Sequence, residues 1–277
     1  MNVGDRSLAR RAWVVLADAL GHFNADDGWA MASHVALSAL MALFPFLIFV
    51  AAFAGTLGES SLANRVAELV FAAWPAEVAG PIAAEVRRVL VPIHGNLLTI
   101  SAVVALYLAS NGVEAARTAL NRAYRVVDRR SIIFRRVQSF VFVLAGTVVF
   151  LLIAGFGVLT AAMPALTPYA GLLAAFGAAI TSLLIVGGLV GAHLWLPAGR
   201  PPWYQLWPGI LATLVTWLVS GWFFAIYLRT FANYAATYAG LAGVVIAIFF
   251  LYVVAVLMIF GAEFNAAMGR LREGRIG

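Results

Sequence analysis

Apolar and polar positions divide the chain into six long apolar runs, at about 30–57, 96–114, 138–161, 170–196, 206–228 and 239–262. A helix rises about 1.5 Å per residue, so roughly 20 residues cross a ~30 Å hydrocarbon core. Each run is therefore expected to be a membrane-spanning helix. The second is the shortest: Leu97–Ala109 is apolar except for Thr99 and Ser101, and it spans only if the flanking polar turns are included. Pro45 lies inside the first run and is expected to kink it, freeing a carbonyl that a neighbour must satisfy. Pro208 falls at the start of the fifth, where a missing N–H costs nothing. Trp203, Tyr204 and Trp207 cluster there as an interfacial belt. Gly187 and Gly191 form a small-xxx-small pair that permits close helix packing.

Three stretches outside these runs read as amphipathic helices. In 7–23, Leu8, Ala12, Val15, Leu16, Ala19, Leu20 and Phe23 share one face, away from Arg10, Arg11 and Asp18. This helix is expected to lie along the cytoplasmic membrane surface, with Asp27 capping the first span. Within 58–95, expected on the external side, Leu62, Val66, Leu69, Val70 and Ala73 form one stripe. After Pro75 and Pro81, Ile82, Val86, Val89 and Leu90 form another. These two short helices are expected to cover an opening among the spans or to rest at the headgroups.

Composition agrees with the pattern. Of 277 residues, 64% are hydrophobic and 11% charged; a soluble domain carries about 45–50% and 25%. So few charges cannot cover an aqueous surface. The expected fold is all-α: a polytopic integral membrane protein, a six-transmembrane-helix bundle with short amphipathic helices. Its parts are a cytoplasmic amphipathic segment 1–29, a membrane domain 30–267 with a basic cytoplasmic loop at about 115–137, and a cytoplasmic tail 268–277. Residues 1–25 lack the apolar stretch of a cleavable signal peptide.

All 18 basic residues are arginine, and the formal charge is +6. Fourteen arginines fall in 1–29, 115–137, 197–205 and 263–277, against four in 58–95, 162–169 and 229–238. That bias places both termini in the cytoplasm. The positive charge is thus read as topology, and no nucleic-acid partner is expected.

Chemistry-bearing motifs are sparse. There is no cysteine, no GxxxxGK[ST] loop, no HExxH and no GxSxG elbow. His22, His34, His94 and His193 are scattered singly; no metal, cofactor or catalytic residue is expected. His34 and His193, near span ends, are read as interhelical hydrogen-bonders.

The most informative stretch is Ser110–Arg136. Asn111, Glu114, Arg117, Asn121 and Arg125 follow at helical spacing on one face, with Val113, Ala116, Leu120, Ala123 and Val127 opposite. Glu114 stands one turn before Arg117, close enough to pair. The face is either a solvated exit from the membrane or a polar lining for a vestibule or lipid headgroup. Arg129, Arg130, Arg135 and Arg136 follow as a juxtamembrane patch, suited to anionic headgroups or to topology alone. Glu263 closes the last run, with Arg270 two turns along the same face. An acid at this depth finds a partner: a salt bridge to another span's arginine, or a proton-coupled role. It joins the candidate polar lining.

The segments ALSALMALFPFLIF (36–49), ASNGVEAARTALNRAYRV (109–126) and LPAGRPPWYQLWPG…IFGAEFNAA (196–267) stand in an order similar to that of a known family. Over roughly residues 20–270 the chain resembles the YihY/BrkB family of bacterial inner-membrane proteins, once labelled ribonuclease BN. It departs from the family pattern at Leu37 and Ser38, at Ala239 and at Phe250. The resemblance implies a multi-pass inner-membrane protein that transports or translocates a lipid or envelope component, with membrane lipids as partners. The alternative is a non-catalytic membrane scaffold, with a second copy of the chain or an envelope protein as its partner; a ribonuclease or intramembrane hydrolase ranks below both.

Overall fold

A computed structural model describes residues 3–56, 95–162, 170–199, 202–237 and 241–276. The described residues form seven helices and no strand: α1 (Val3–Ala25), α2 (Gly28–Thr56), α3 (Gly95–Ala123), α4 (Ile132–Ala162), α5 (Ala170–Trp195), α6 (Trp203–Thr237) and α7 (Leu241–Arg272). The chain is thus an all-helical membrane protein. Four stretches are long and apolar enough to cross a bilayer: Ile132–Val149, Ala175–Trp195, Trp203–Tyr227 and Val244–Arg272. Gly28–Ala42 is a shorter apolar helix. The stripes expected within 58–95 lie outside the described residues, as does the side chain of Pro45.

Each of α2 to α7 packs on the next, and α7 returns to α2, closing a ring. Helix α1 lies outside it, on α7 and α2, and α3 also reaches α7. Hydrocarbon offers no hydrophobic drive for helices to associate, so packing and hydrogen bonds must hold them. The interfaces accordingly use small residues. Ala32, Ala119 and Ala255 meet Phe23 and Ile259 in one buried cluster; Ala123 and Ala262 meet Leu120 and Leu196 in another. Where α6 crosses α7, a Cβ on Gly209 would strike the Gly261 carbonyl and Asn265, and one on Gly261 would strike Thr213. Only glycine permits that approach. Outward positions stay apolar: Leu172, Leu183 and Leu218 are all more than two-thirds exposed.

Several features differ from the sequence reading. Helix α1 does not simply rest on a membrane. Val15, Ala19 and Phe23 are buried, the first two against Ala267, Phe264 and Met268 of α7, while Trp13, Leu16 and Leu20 point away from the protein. One apolar face of the helical wheel has split into two narrower ones. Asp27 occupies the helix-start position, its carbonyl accepting from Met31 N at 2.9 Å, but its carboxylate turns to Arg122 at 3.2 Å. The 115–137 stretch is a loop only between Ala123 and Ile132, because α3 runs nine residues beyond the apolar run and α4 begins early. Pro208 lies inside α6, at its sixth residue, because the helix already starts at Trp203. It is past the four N–H groups that lack partners at any helix start, so one backbone bond is lost. Gly187 and Gly191 have nothing within 4 Å of a built Cβ, so no described helix packs against that pair. His34 is exposed on α2 rather than bonded between helices.

Candidate functional site

The start of α2, the end of α3, the start of α4, the end of α5, the start of α6 and the end of α7 gather at one end of the ring. Polar side chains tie them together there. The α3 terminus sets the arrangement. Arg125 N donates to Arg122 O and Val126 N to Asn121 O, both at 2.9 Å, the two bonds of a Schellman ending. That ending puts its left-handed residue at Arg125, with φ 54°, where glycine is usual. The turn takes Arg125 off the helical face on which spacing alone placed it. Its side chain instead reaches Asp26 Oδ2 at 2.8 Å and Glu263 Oε2 at 3.4 Å.

The six candidate lining residues therefore separate into two groups. On the α4 side, Arg117 donates to Glu114, to Arg135 O at 2.8 Å and to Ser139 Oγ at 2.5 Å. Arg117 is buried and Glu114 a third exposed. Asn111 accepts from Arg136 at 2.8 Å. On the α7 side stand Arg125 and Glu263. Asn121 lies between the groups, donating to Asp128 Oδ2 at 3.3 Å and accepting from Ala198 N at 2.7 Å.

The four arginines of the juxtamembrane patch are not equivalent. Arg130 grips Asp128 through two nitrogens at 2.8 and 2.7 Å and also donates to Leu196 O at 2.7 Å. The side-chain hydrogen bond from Arg130 holds the Asp128 carboxyl down at about 2, against the opposing pull of burial. Arg135 stands 3.6 Å from Glu114. Arg136 donates to Ser110 as well as Asn111 and stacks over the Tyr107 ring, 4.6 Å from its centroid. Arg129 is exposed and has no ion pair or hydrogen bond among the described residues. In the same connection Val127, Ile132 and Ile133 are each about three-quarters exposed.

Glu263 does not pair with Arg270. Arg270 instead reaches across to α1, donating to Asp18 Oδ2 at 2.9 and 2.5 Å. Sequence reasoning also missed a buried chain between α5, the α3–α4 connection and α7. Gly209 N donates to Asn265 Oδ1 at 2.6 Å, which leaves Asn265 Nδ2 to donate to Tyr124 Oη at 3.4 Å. Tyr124 Oη lies 2.7 Å from His193 Nδ1. The phenol, already an acceptor, is placed to donate to Nδ1, so the network assigns the proton to His193 Nε2. That nitrogen is buried with no partner. Burial raises the Tyr124 pKa, keeping the phenol protonated. No spacing rule joins Tyr124, His193 and Asn265; only Tyr124 and Asn265 stood inside quoted motifs.

Two cavities lie along α6 and α7, on opposite sides of the Gly209–Gly261 crossing. Toward the polar end is one of ≈ 520 Å³, lined by Tyr124, Arg125, Gln205, Asn265, Arg270 and Glu273 among others. Beyond the crossing is one of ≈ 990 Å³, lined chiefly by apolar and aromatic side chains, including Trp217, Phe223, Phe224, Phe249 and Phe250. Trp217 Nε1 bridges the helices there, donating to Val254 O at 3.0 Å. Among the described residues no group of three or more His, Asp or Glu side chains is placed to hold a metal ion.

The chain is 26% identical to the ribonuclease-like protein YfkH of Bacillus subtilis over 266 residues, covering 93% of this chain and 96% of that one. It is 28% identical to a UPF0761 membrane protein of Rhodospirillum centenum over 290 residues, covering 98% of this chain and 62% of the relative. No solved structure matches. The model of the family described as virulence factor BrkB matches residues 19–276, nearly the whole chain, and the chain belongs to that family of membrane proteins.

Proposed function

We propose that the protein translocates a lipid or envelope component across the bacterial inner membrane, with α2–α7 as six spans and both termini cytoplasmic. The observation that carries this reading is a pair of cavities on one helix pair, one lined chiefly by apolar and aromatic side chains and the other with charged and amide side chains in its lining. An amphipathic molecule needs an apolar compartment for its chains and a polar one for its head. Here the ≈ 990 Å³ and ≈ 520 Å³ cavities flank a single glycine crossing. The orientation is supported by the arginines of α3, α4 and α7, which gather at the polar end. Exposed Trp195, Trp203 and Tyr204 stand at that end too, as an interfacial belt would. Anionic headgroups are the partner we assign to Arg129, Arg130, Arg135 and Arg136, with Arg129 the freest to bind. The reading includes no catalytic step; the ribonuclease-like name is that of YfkH.

The test is reconstitution in liposomes with labelled phospholipid. Wild-type protein should speed exchange between leaflets. Gly221 lines the apolar cavity and has nothing within 4 Å of a built Cβ, so Gly221→Trp should fill the cavity and slow exchange in a folded protein. Liposomes in which no labelled lipid or envelope precursor moves, under any gradient, would sink the proposal. The second reading is a membrane scaffold. It draws on the open glycine surface of α5, where Gly187, Gly188 and Gly191 leave room for a helix of another chain. Cross-linking from that surface that captures neither a second copy nor an envelope protein counts against it.

A further inference from the structure

Two carboxylates converge on one guanidinium where α3, α7 and the α1–α2 junction meet. Arg125 Nη2 donates to Asp26 Oδ2 at 2.8 Å. Its Nη1 lies 2.9 Å from Ala123 O and 3.4 Å from Glu263 Oε2. The neutral carbonyl thus has the shorter bond and the buried carboxylate the longer. Glu263 is 1% exposed, Asp26 30% and Arg125 35%. One cation cannot neutralise two anions, and the less compensated anion is the one without water.

The neighbouring elements supply no further cation to either carboxylate group among the described residues; Arg122 of α3 reaches the Asp26 backbone, donating to its carbonyl at 3.2 Å. From α1, Asp18 and His22 face Arg270, the histidine at 3.3 Å. From the α1–α2 junction, Asp27 is taken by Arg122 of α3. The α3–α4 connection contributes Tyr124, engaged with His193 of α5 and Asn265 of α7. Helix α6 presents the Gly209 N–H, given to Asn265, and the Thr213 hydroxyl, which donates to Leu257 O. The left-handed Arg125 backbone is a conformation that L side chains avoid, and such strain persists where surrounding contacts over-determine it.

We propose that Asp26 and Glu263 form a proton-binding pair, clamped by Arg125, that takes up one proton from water. An O–H bond forms on a carboxylate oxygen of the pair, and the long Arg125–Glu263 contact gives way to Arg125–Asp26 alone. The cluster passes from a net charge of −1 to neutral. Asp26 is the solvent-facing member and Glu263 the buried one; Arg125, which lines the polar cavity, stands between them. Two carboxylates in one site titrate as a unit, so the proton belongs to the pair. The inference does not rest on any cargo, because proton binding is measured on the protein alone.

The experiment is infrared titration of the full-length protein in lipid nanodiscs, following the carbonyl band of a protonated carboxyl from mildly acid to mildly alkaline pH. Wild type should show one such step. Glu263→Gln and Asp26→Asn should each abolish it, and Arg125→Gln, which removes the clamping cation, should carry it to higher pH. Asp26 is solvent-facing, so Asp26→Asn decides the matter even where Glu263→Gln fails to fold. A wild type without the step, a step that persists in either folded carboxylate variant, or a shift to lower pH in Arg125→Gln overturns the pair.

Discussion

Glu114→Gln should be the most damaging single change on the α4 side of the polar network. Helical spacing brings Glu114 and Arg117 within reach of each other, but burial makes them unequal. Arg117 is 1% exposed and Glu114 33%. With Glu114 neutral, a guanidinium that cannot shed its charge stays inside the protein with only uncharged acceptors, the Arg135 carbonyl, the Ser139 hydroxyl and the amide oxygen that the substitution leaves. Breaking a buried pair from one side costs about 3–5 kcal/mol. The partial exposure of Glu114 and the two surviving acceptors point to the lower end, about 3 kcal/mol. At roughly 2–4 °C per kcal/mol, that is a fall of about 6–12 °C in melting temperature. Arg117→Met removes the cation instead. Glu114 then keeps Arg135 at 3.6 Å and its access to water, so the loss should be about 1–2 kcal/mol, that of the hydrogen bonds alone. The double variant should resemble Arg117→Met and be milder than Glu114→Gln. A double-mutant cycle on thermal unfolding in detergent measures all three. Glu114→Gln within about 0.5 kcal/mol of wild type, the range of an exposed pair, would refute the buried-charge argument. So would additivity of the two singles.

The α6–α7 crossing gives a second test: Gly261→Ala forces a Cβ into Thr213 and should cost about 1–3 kcal/mol, whereas Gly187→Ala meets nothing within 4 Å and should leave the melting temperature unchanged. Asp128 sets an acid limit. Its folded pKa is depressed to about 2 from an ordinary 3.8, so its stabilisation is complete above about pH 4 and is lost as pH falls toward 2. Denaturation across that window should therefore show an acid-sensitive component that Asp128→Asn removes. Among the patch arginines, Arg129→Ala should lower co-purified anionic lipid with little change in stability, while Arg130→Ala should lower stability by breaking the Asp128 and Leu196 contacts; equal lipid loss in both would contradict the division. Reporter fusions after Ala76 and after Arg130 should report opposite compartments, and equal signals would remove the six-span topology.

The sequence by itself determined the class of fold, because membrane burial is written in composition and run length. A chain 64% hydrophobic with runs near 20 residues has few ways to satisfy its backbone other than helices in a bilayer. Most helix positions were legible for the same reason, as was the Glu114–Arg117 pair, since neighbours one turn apart meet whatever the rest of the fold does. The helix ends were less legible. The charges and amides from Glu114 onward ended the apolar run but not the helix, because tertiary partners receive them: Ser139 takes Arg117, Ala198 N takes Asn121 and Asp27 takes Arg122. Only the tertiary structure decided which charges meet across the ring. Arg125 joined Asp26 and Glu263 from 99 and 138 residues away, and did so because a left-handed residue turned it off its helix. Arg270 went to Asp18 across 252 residues rather than to Glu263 on its own face. Periodicity fixes directions around one helix; it carries no information about which helix lies opposite. The His193–Tyr124–Asn265 chain needed three elements to be packed before any of its bonds existed.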